Sequence, residues 1–218
     1  MRKFPVAPDA FPYMAILLVL TFFLVRLNPW LSIIPVILLI FTTYFFRNPR
    51  RSIPEEPGVI LSPADGVVLE ITEGCENEFF GSEVVRVSIF LSIFNVHINR
   101  CPIGGSVGYR RYREGKFLPA FKSHASEVNE RNYVGIANGQ VKVLVTQITG
   151  FLARRIVCWV NPGDAVRQGE IFGMIKFGSC TEIVIPKGVQ ILVHKGDKVR
   201  GGETIIGRIL DGTQEMHS

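Results

Sequence analysis

The chain has 218 residues, a formal net charge of +5 at neutral pH, a pI near 9.2 and 47% hydrophobic residues. That length allows one or two domains, and the basic balance points to an anionic partner, either a membrane surface or nucleic acid. Cys75, Cys101, Cys158 and Cys180 are far apart and form no CxxC pair. A zinc-type spacing and a disulfide scaffold are thereby excluded, and free thiols in a reducing compartment are expected.

In chain order, Phe11 to Val25 is one apolar run and Trp30 to Phe46 is another, with Arg26, Asn28 and Pro29 as the turn between them. At a helical rise of about 1.5 Å per residue each run extends roughly 23–26 Å. That is slightly short of a hydrocarbon core of about 30 Å, so a thin spanning hairpin and a re-entrant wedge are both open. A second apolar run follows the first at once and no small-residue cleavage site is evident, which argues against a cleaved signal peptide. Arg2 and Lys3 precede the hairpin and Arg47, Arg50 and Arg51 follow it, against Arg26 alone in the turn. The positive-inside rule then places both ends, and everything after them, in the cytoplasm. Residues 1–50 are thus expected to be a membrane hairpin, and 51–218 a separate soluble domain.

Beyond the polar linker Ser52–Gly58 come short strand-like runs at Val59–Leu61, Gly66–Ile71, Val84–Leu91 and Val107–Tyr112, with no long amphipathic helix between them. The pattern predicts a mainly β domain, a barrel or sandwich. Phe117–Asn132 stands apart as a loop with a helical turn. Two later segments match: Pro162-Gly163-Asp164-Ala165-Val166-Arg167-Gln168-Gly169-Glu170 and Lys195-Gly196-Asp197-Lys198-Val199-Arg200-Gly201-Gly202-Glu203, each followed by a strand with an internal glycine. This turn grammar resembles biotinyl and lipoyl carrier domains. Those carriers present a lysine between methionine-like neighbours. Met174-Ile175-Lys176 fits that poorly, so the repeat reads as structural.

Three places hold side chains suited to chemistry. Asp65 lies in Ser62-Pro63-Ala64-Asp65-Gly66, which is also a common turn pair. His97 lies between apolar neighbours in Phe94-Asn95-Val96-His97-Ile98-Asn99-Arg100, as a core histidine would. His124 and His194 sit in polar surroundings and are expected to be exposed. Ser179 follows Gly178 between two apolar runs, where its hydroxyl can attack an external carbonyl or that of the preceding glycine. A triad is recognised by geometry and not by chain order, so Asp65, His97 and Ser179 form a candidate set. A Gly-x-Ser-x-Gly elbow is absent, against an α/β hydrolase. The nucleic-acid motifs are also absent. No metal site is expected.

At these residues the sequence resembles the phosphatidylserine decarboxylases in their short, membrane-bound form. The shared motifs are Ser62–Gly66, Asn95–Arg100, Gly115-Lys116-Phe117, Ser126–Asn132 and Phe177-Gly178-Ser179. Long forms commonly carry Leu-Gly-Ser-Thr at the last of these, against Phe177-Gly178-Ser179-Cys180, and many have a second histidine where Phe94 stands. The resemblance implies a proenzyme that cuts itself between Gly178 and Ser179 into residues 1–178 and 179–218, which stay together as a heterodimer. Ser179 would become a covalent pyruvoyl cofactor. The mature enzyme would convert phosphatidylserine to phosphatidylethanolamine and CO2 at the cell membrane. In that scheme His97 is the base that takes the Ser179 proton, and Asp65 orients it. Arg110, Arg111, Lys116 and Asn129 are the substrate-binding candidates, the cations facing anionic lipid. A higher oligomer and the group that protonates product are left open. Two other readings compete: an anchored carrier or adaptor without catalysis, and a serine hydrolase using the same triad on an external ester.

Overall fold

The computed structural model describes residues 4–76, 78–118, 128–150, 155–176 and 179–210. The chain divides into two compact units, Met1–Arg50 and Arg51–Ser218.

In the first unit, helix α1 (Phe11–Leu27) and helix α2 (Ile33–Phe45) pack on each other across a 3-10 turn at Pro29–Ser32. Asn28 leaves the helical conformation and its side chain accepts a hydrogen bond from the Trp30 N–H, which stops α1 before Pro29. The second apolar run therefore begins with a tight turn, and α2 is shorter than the sequence pattern suggests. The hairpin base is closed by backbone hydrogen bonds from Ala7 N–H to Phe46 O (2.8 Å) and from Asn48 N–H to Pro5 O (2.6 Å). No residue of α1 is buried although the helix is apolar on every side, the pattern of a helix that meets hydrocarbon outside the protein. Pro8–Leu27 is long and apolar enough to cross a membrane.

The second unit is mainly β. Its first strands are β1 (Val59–Leu61), β2 (Gly66–Glu76), β3 (Ser82–Leu91), β4 (Ile98–Arg100), β5 (Gly105–Arg113), β6 (Arg131–Ala137) and β7 (Lys142–Thr149). They are followed by β8 (Arg155–Cys158), β9 (Ala165–Val166), β10 (Ile171–Lys176), β11 (Ser179–Pro186), β12 (Val189–Ile191), β13 (Lys198–Val199) and β14 (Ile205–Ile209). Among the described residues eight of these form a curled antiparallel sheet in the order β13-β2-β3-β11-β7-β6-β5-β9. Two small sheets, β1-β14-β12 and β4-β10-β8, complete the unit. The inward residues of the large sheet, Val87, Ile89, Val134, Val143, Val145, Ile183 and Ile185 among them, form one core.

The matched segments are one visible part of a larger internal two-fold. Gly163 and Gly196 both have φ near +95°, and Gly169 and Gly202 φ of +73° and +78°. Asp164 accepts from Asn161 N–H and Asp197 from His194 N–H, both at 2.8 Å. Gly163 N–H donates to Val107 O as Gly196 N–H donates to Val68 O. The strand register repeats as well, with Gly66 opposite Val199 and Gly105 opposite Val166. At both Gly66 and Gly105 a β-carbon would strike a neighbouring carbonyl, of Phe90 and Ala137 respectively, so both strands enter the sheet on glycine. The order of the large sheet reads the same from either end if β13, β2, β3 and β11 are exchanged for β9, β5, β6 and β7. The two-fold passes between β11 and β7.

Candidate active site

Ser179 is the first residue of β11, fully buried, with Leu91 of β3 on one side in register and Thr149 of β7 on the other. Its Oγ is buried and has no hydrogen-bond partner among the described residues. An unsatisfied hydroxyl in a protein interior costs about 1–3 kcal/mol, so it calls for a functional reason. Strand β10 ends at Lys176 in one small sheet and β11 starts at Ser179 in the large one. Residues 177 and 178 join the two sheets; Phe177 and the expected cleavage residue Gly178 lie outside the described residues, as does His124.

His97 is fully buried just before β4. Its Nδ1 is 3.0 Å from the Asn95 carbonyl oxygen. A carbonyl only accepts, so Nδ1 carries the proton and Nε2 is the basic nitrogen of the ring. Asn95 is itself fixed, because its Oδ1 accepts from Ser92 N–H at 2.9 Å and from Ser92 Oγ at 2.8 Å. The His97 carbonyl accepts from Ile175 N–H at 3.1 Å, four residues before Ser179, which ties the histidine's backbone to the segment leading into the Gly-Ser bond.

Asp65 lies just before β2. Its carboxylate accepts from Arg51 at 2.9 and 2.8 Å and from Gly201 N–H at 2.8 Å, rather than from the imidazole. The imidazole contacts the Asn95 carbonyl through Nδ1, and none of these Asp65 hydrogen bonds is to the ring. Arg51 also reaches Glu203 at 3.3 Å, and the Arg51 and Asp65 side chains are only 7% and 14% exposed. Burial pushes the Glu203 carboxyl up, but the Ser52 N–H and the Arg51 guanidinium outweigh it and hold the group below its ordinary value. Arg51 is thus a buried structural cation and not a lipid-facing one. Nothing in its local sequence separates it from Arg47 and Arg50. The internal two-fold adds a contrast: the position equivalent to Asp65 is Gly104, where a β-carbon would lie 3.3 Å from Gln168 N. Only one half of the duplicated scaffold carries the carboxylate.

The four substrate-binding candidates do not share one surface. Asn129 is buried, and its amide donates to Leu118 O and Thr149 O while accepting from Leu118 N–H, each at 2.8 Å. It therefore braces the strand beside Ser179. Lys116 pairs with Asn129 through a backbone bridge and is exposed. Arg110 donates to Val160 O and to Asn161 Oδ1, whereas Arg111, next along the strand, donates to Glu78 at 2.6 Å on the solvent side. His194 is exposed, and Phe94 stands largely exposed on the loop before His97.

On the opposite face of β11 from Ser179 lie Cys180 and Glu182, both buried. Burial, reinforced by Glu182, pushes the Cys180 thiol well up, which makes it a poor competing nucleophile. Burial also pushes the Glu182 carboxyl up, against the pull of Arg86 and Ser88, each at 3.2 Å. A carboxyl whose native pKa exceeds its unfolded value binds more protons when folded, so its contribution is present at low pH and lost as pH rises through the native value. Glu182→Gln is therefore expected to raise the unfolding temperature more at pH 8 than at pH 5, read by calorimetry on an uncut Ser179→Ala background. Among the described residues no group of three or more His, Cys, Asp and Glu is placed to hold a metal ion, and no two cysteines are joined in a disulfide.

The sequence profile of phosphatidylserine decarboxylase matches residues 38–207. A phosphatidylserine decarboxylase proenzyme of Carboxydothermus hydrogenoformans is 57% identical over 202 residues, covering 92% of this chain and 95% of that relative. Proenzymes of the same name from Symbiobacterium thermophilum and Chlorobium chlorochromatii are 44% identical over 96% and 51% identical over 82% of this chain, covering 98% and 84% of those relatives. A buried, unsatisfied serine at the start of a strand, a histidine of defined tautomer on the adjoining backbone, and identity at this level over nearly the full length converge on one assignment: the chain belongs to the phosphatidylserine decarboxylase family.

Proposed function

We propose that the chain is a phosphatidylserine decarboxylase proenzyme that breaks its own Gly178–Ser179 bond and then releases CO2 from phosphatidylserine to give phosphatidylethanolamine. The observation that carries the reading is the buried Ser179 Oγ, which has no hydrogen-bond partner among the described residues, at the start of the strand that follows the expected cut. His97 takes the hydroxyl proton. The Ser179 oxygen then bonds to the Gly178 carbonyl carbon, the amide C–N bond breaks, and the proton passes to the freed nitrogen. Elimination of the ester releases residues 1–178 with a terminal carboxylate and leaves an unsaturated residue 179. Water enters and ammonia leaves, giving a terminal pyruvoyl group. A general base supplies about 10²–10⁴-fold, enough to matter for a step that occurs once per molecule. Asp65 contributes a fixed negative charge that favours the imidazolium, while Arg51 and Gly201 N–H hold the carboxylate in place.

When formed, the pyruvoyl group supplies the ketone that engages the substrate amine and the electron sink for decarboxylation. The site fits it, because residue 179 lies in a water-excluded position flanked by Leu91 and Thr149. The strand pairing supports two pieces that stay together after the cut. After the cut, β11 remains laddered between β3 and β7, β13 against β2, and β14 against β1. The apolar hairpin supports a location at the cell membrane, where the lipid substrate resides, and the surplus of Lys and Arg at its two ends supports a catalytic unit on the cytoplasmic side. Intact-mass measurement of the purified protein is the direct test. Two chains are expected, the smaller lighter than residues 179–218 by one ammonia. A single unmodified chain of full mass defeats the proposal.

A further inference from the structure

The inner face of the large sheet is hydrocarbon for most of its length and turns polar one row from Ser179. The row Val87, Ile183, Val145, Val134 is apolar, and the next one toward Ser179 holds Thr181, Gln147 and Asn132. All three are buried, as is Asn99 on the small sheet facing them. Their side chains form one directed chain. Asn132 Nδ2 donates to Gln147 Oε1 at 2.9 Å, Gln147 Nε2 donates to Asn99 Oδ1 at 2.9 Å, and Asn99 Nδ2 donates to Thr181 Oγ1 at 3.0 Å. Gln147 Nε2 also reaches Val157 O at 3.3 Å. Gly173 is what admits the Gln147 amide between the sheets, since a β-carbon there would sit 2.5 Å from Val157 O and 2.7 Å from Gln147 Nε2.

The ends of this chain matter. Asn99 is two residues beyond His97, and Thr181 is two residues beyond Ser179 on the same face of β11. The scaffold does not require buried amides at this level, because the adjacent row packs well with valine and isoleucine. Their use is directional: an apolar contact tolerates sliding, whereas a buried amide chain is satisfied in one register only. We propose that Asn132, Gln147, Asn99 and Thr181 are positioning residues for self-cleavage, locking the small sheet that carries His97 to the strand that begins with Ser179. This rests on the His97–Ser179 reading above.

The test follows the precursor in cell-free synthesis, measuring the half-time of its conversion into two chains for wild type, Thr181→Val, Thr181→Ser, Gln147→Met and Ser179→Ala. Thr181→Val and Gln147→Met are expected to slow conversion at least about 10-fold, and Thr181→Ser to stay within about 2-fold of wild type, since one buried hydrogen bond left open is worth about this much. The acid limb of the pH–rate profile keeps its midpoint in the slowed variants, because the contact of His97 with Asn95 is untouched. Denaturant unfolding of each substitution on the uncut Ser179→Ala background shows whether the fold is retained, and only folded variants are scored. Wild-type rates in both Thr181→Val and Gln147→Met overturn the proposal, as does a Thr181→Ser variant as slow as Thr181→Val. Conversion of Ser179→Ala instead overturns the underlying reading of Ser179, whatever the network does.

Discussion

Ser179→Ala is expected to yield one uncut chain of 218 residues with no decarboxylation of phosphatidylserine vesicles, where wild type yields two chains and activity. The loss should be complete, because the substitution removes both the nucleophile and the atoms from which the ketone is made. It should also leave the fold intact or slightly more stable. The Oγ is buried and makes no hydrogen bond among the described residues, so its deletion exposes no orphaned partner. An unfolding temperature at or above that of other uncut variants, together with an uncut band on a denaturing gel, checks both halves. His97→Ala is expected to cut far more slowly at neutral pH, by about the 10²–10⁴-fold a general base contributes. Efficient cutting of His97→Ala would remove the histidine from the role of base.

The second large effect concerns Asp65. Asp65→Ala leaves Arg51, whose buried Nε has no partner among the described residues, with Glu203 at 3.3 Å as its remaining carboxylate, and leaves Gly201 N–H unpaired. Removing one member of a buried ion pair costs about 3–5 kcal/mol, so the variant should both melt early and fail to cut. That single change cannot separate scaffold from chemistry. The double variant Arg51→Met, Asp65→Leu can, since replacing a buried pair by apolar side chains of similar volume is often neutral. It is expected to recover only part of the unfolding temperature lost in Asp65→Ala, because Gly201 N–H stays unpaired and Glu203 loses Arg51, and to remain uncut on the proposed role of the Asp65 charge. Cutting at the wild-type rate in the double variant would confine Asp65 to holding Arg51.

Several features of this protein are legible in its sequence. The apolar runs, the glycine-punctuated strands and the turn grammar of residues 162–170 and 195–203 are local patterns, and local patterns survive translation into structure. What sequence could not carry was partnership at a distance. Arg51 looks like one more juxtamembrane cation, yet it is committed to Asp65 and Glu203. Arg110 and Arg111 are consecutive, yet they spend their charge in different places, since adjacent strand residues point to opposite faces. Gln147 and Asn132 are polar residues that the register of β6, β7 and β11 puts inside.

The amino-acid order alone determined that the chain has an apolar hairpin, a β-rich unit with repeated turns and a glycine–serine junction between strands, because each of these depends on residues a few positions apart. Only the tertiary structure decided which nitrogen of His97 is basic, which cation holds Asp65, that residues 62–68 repeat as 101–107, and that an amide chain ties the two sheets beside Ser179. Apart from the contact of His97 with Asn95, these depend on hydrogen bonds between residues 14 or more positions apart in the chain. Their strength comes from exclusion of water, a property of the packed whole and of no segment within it.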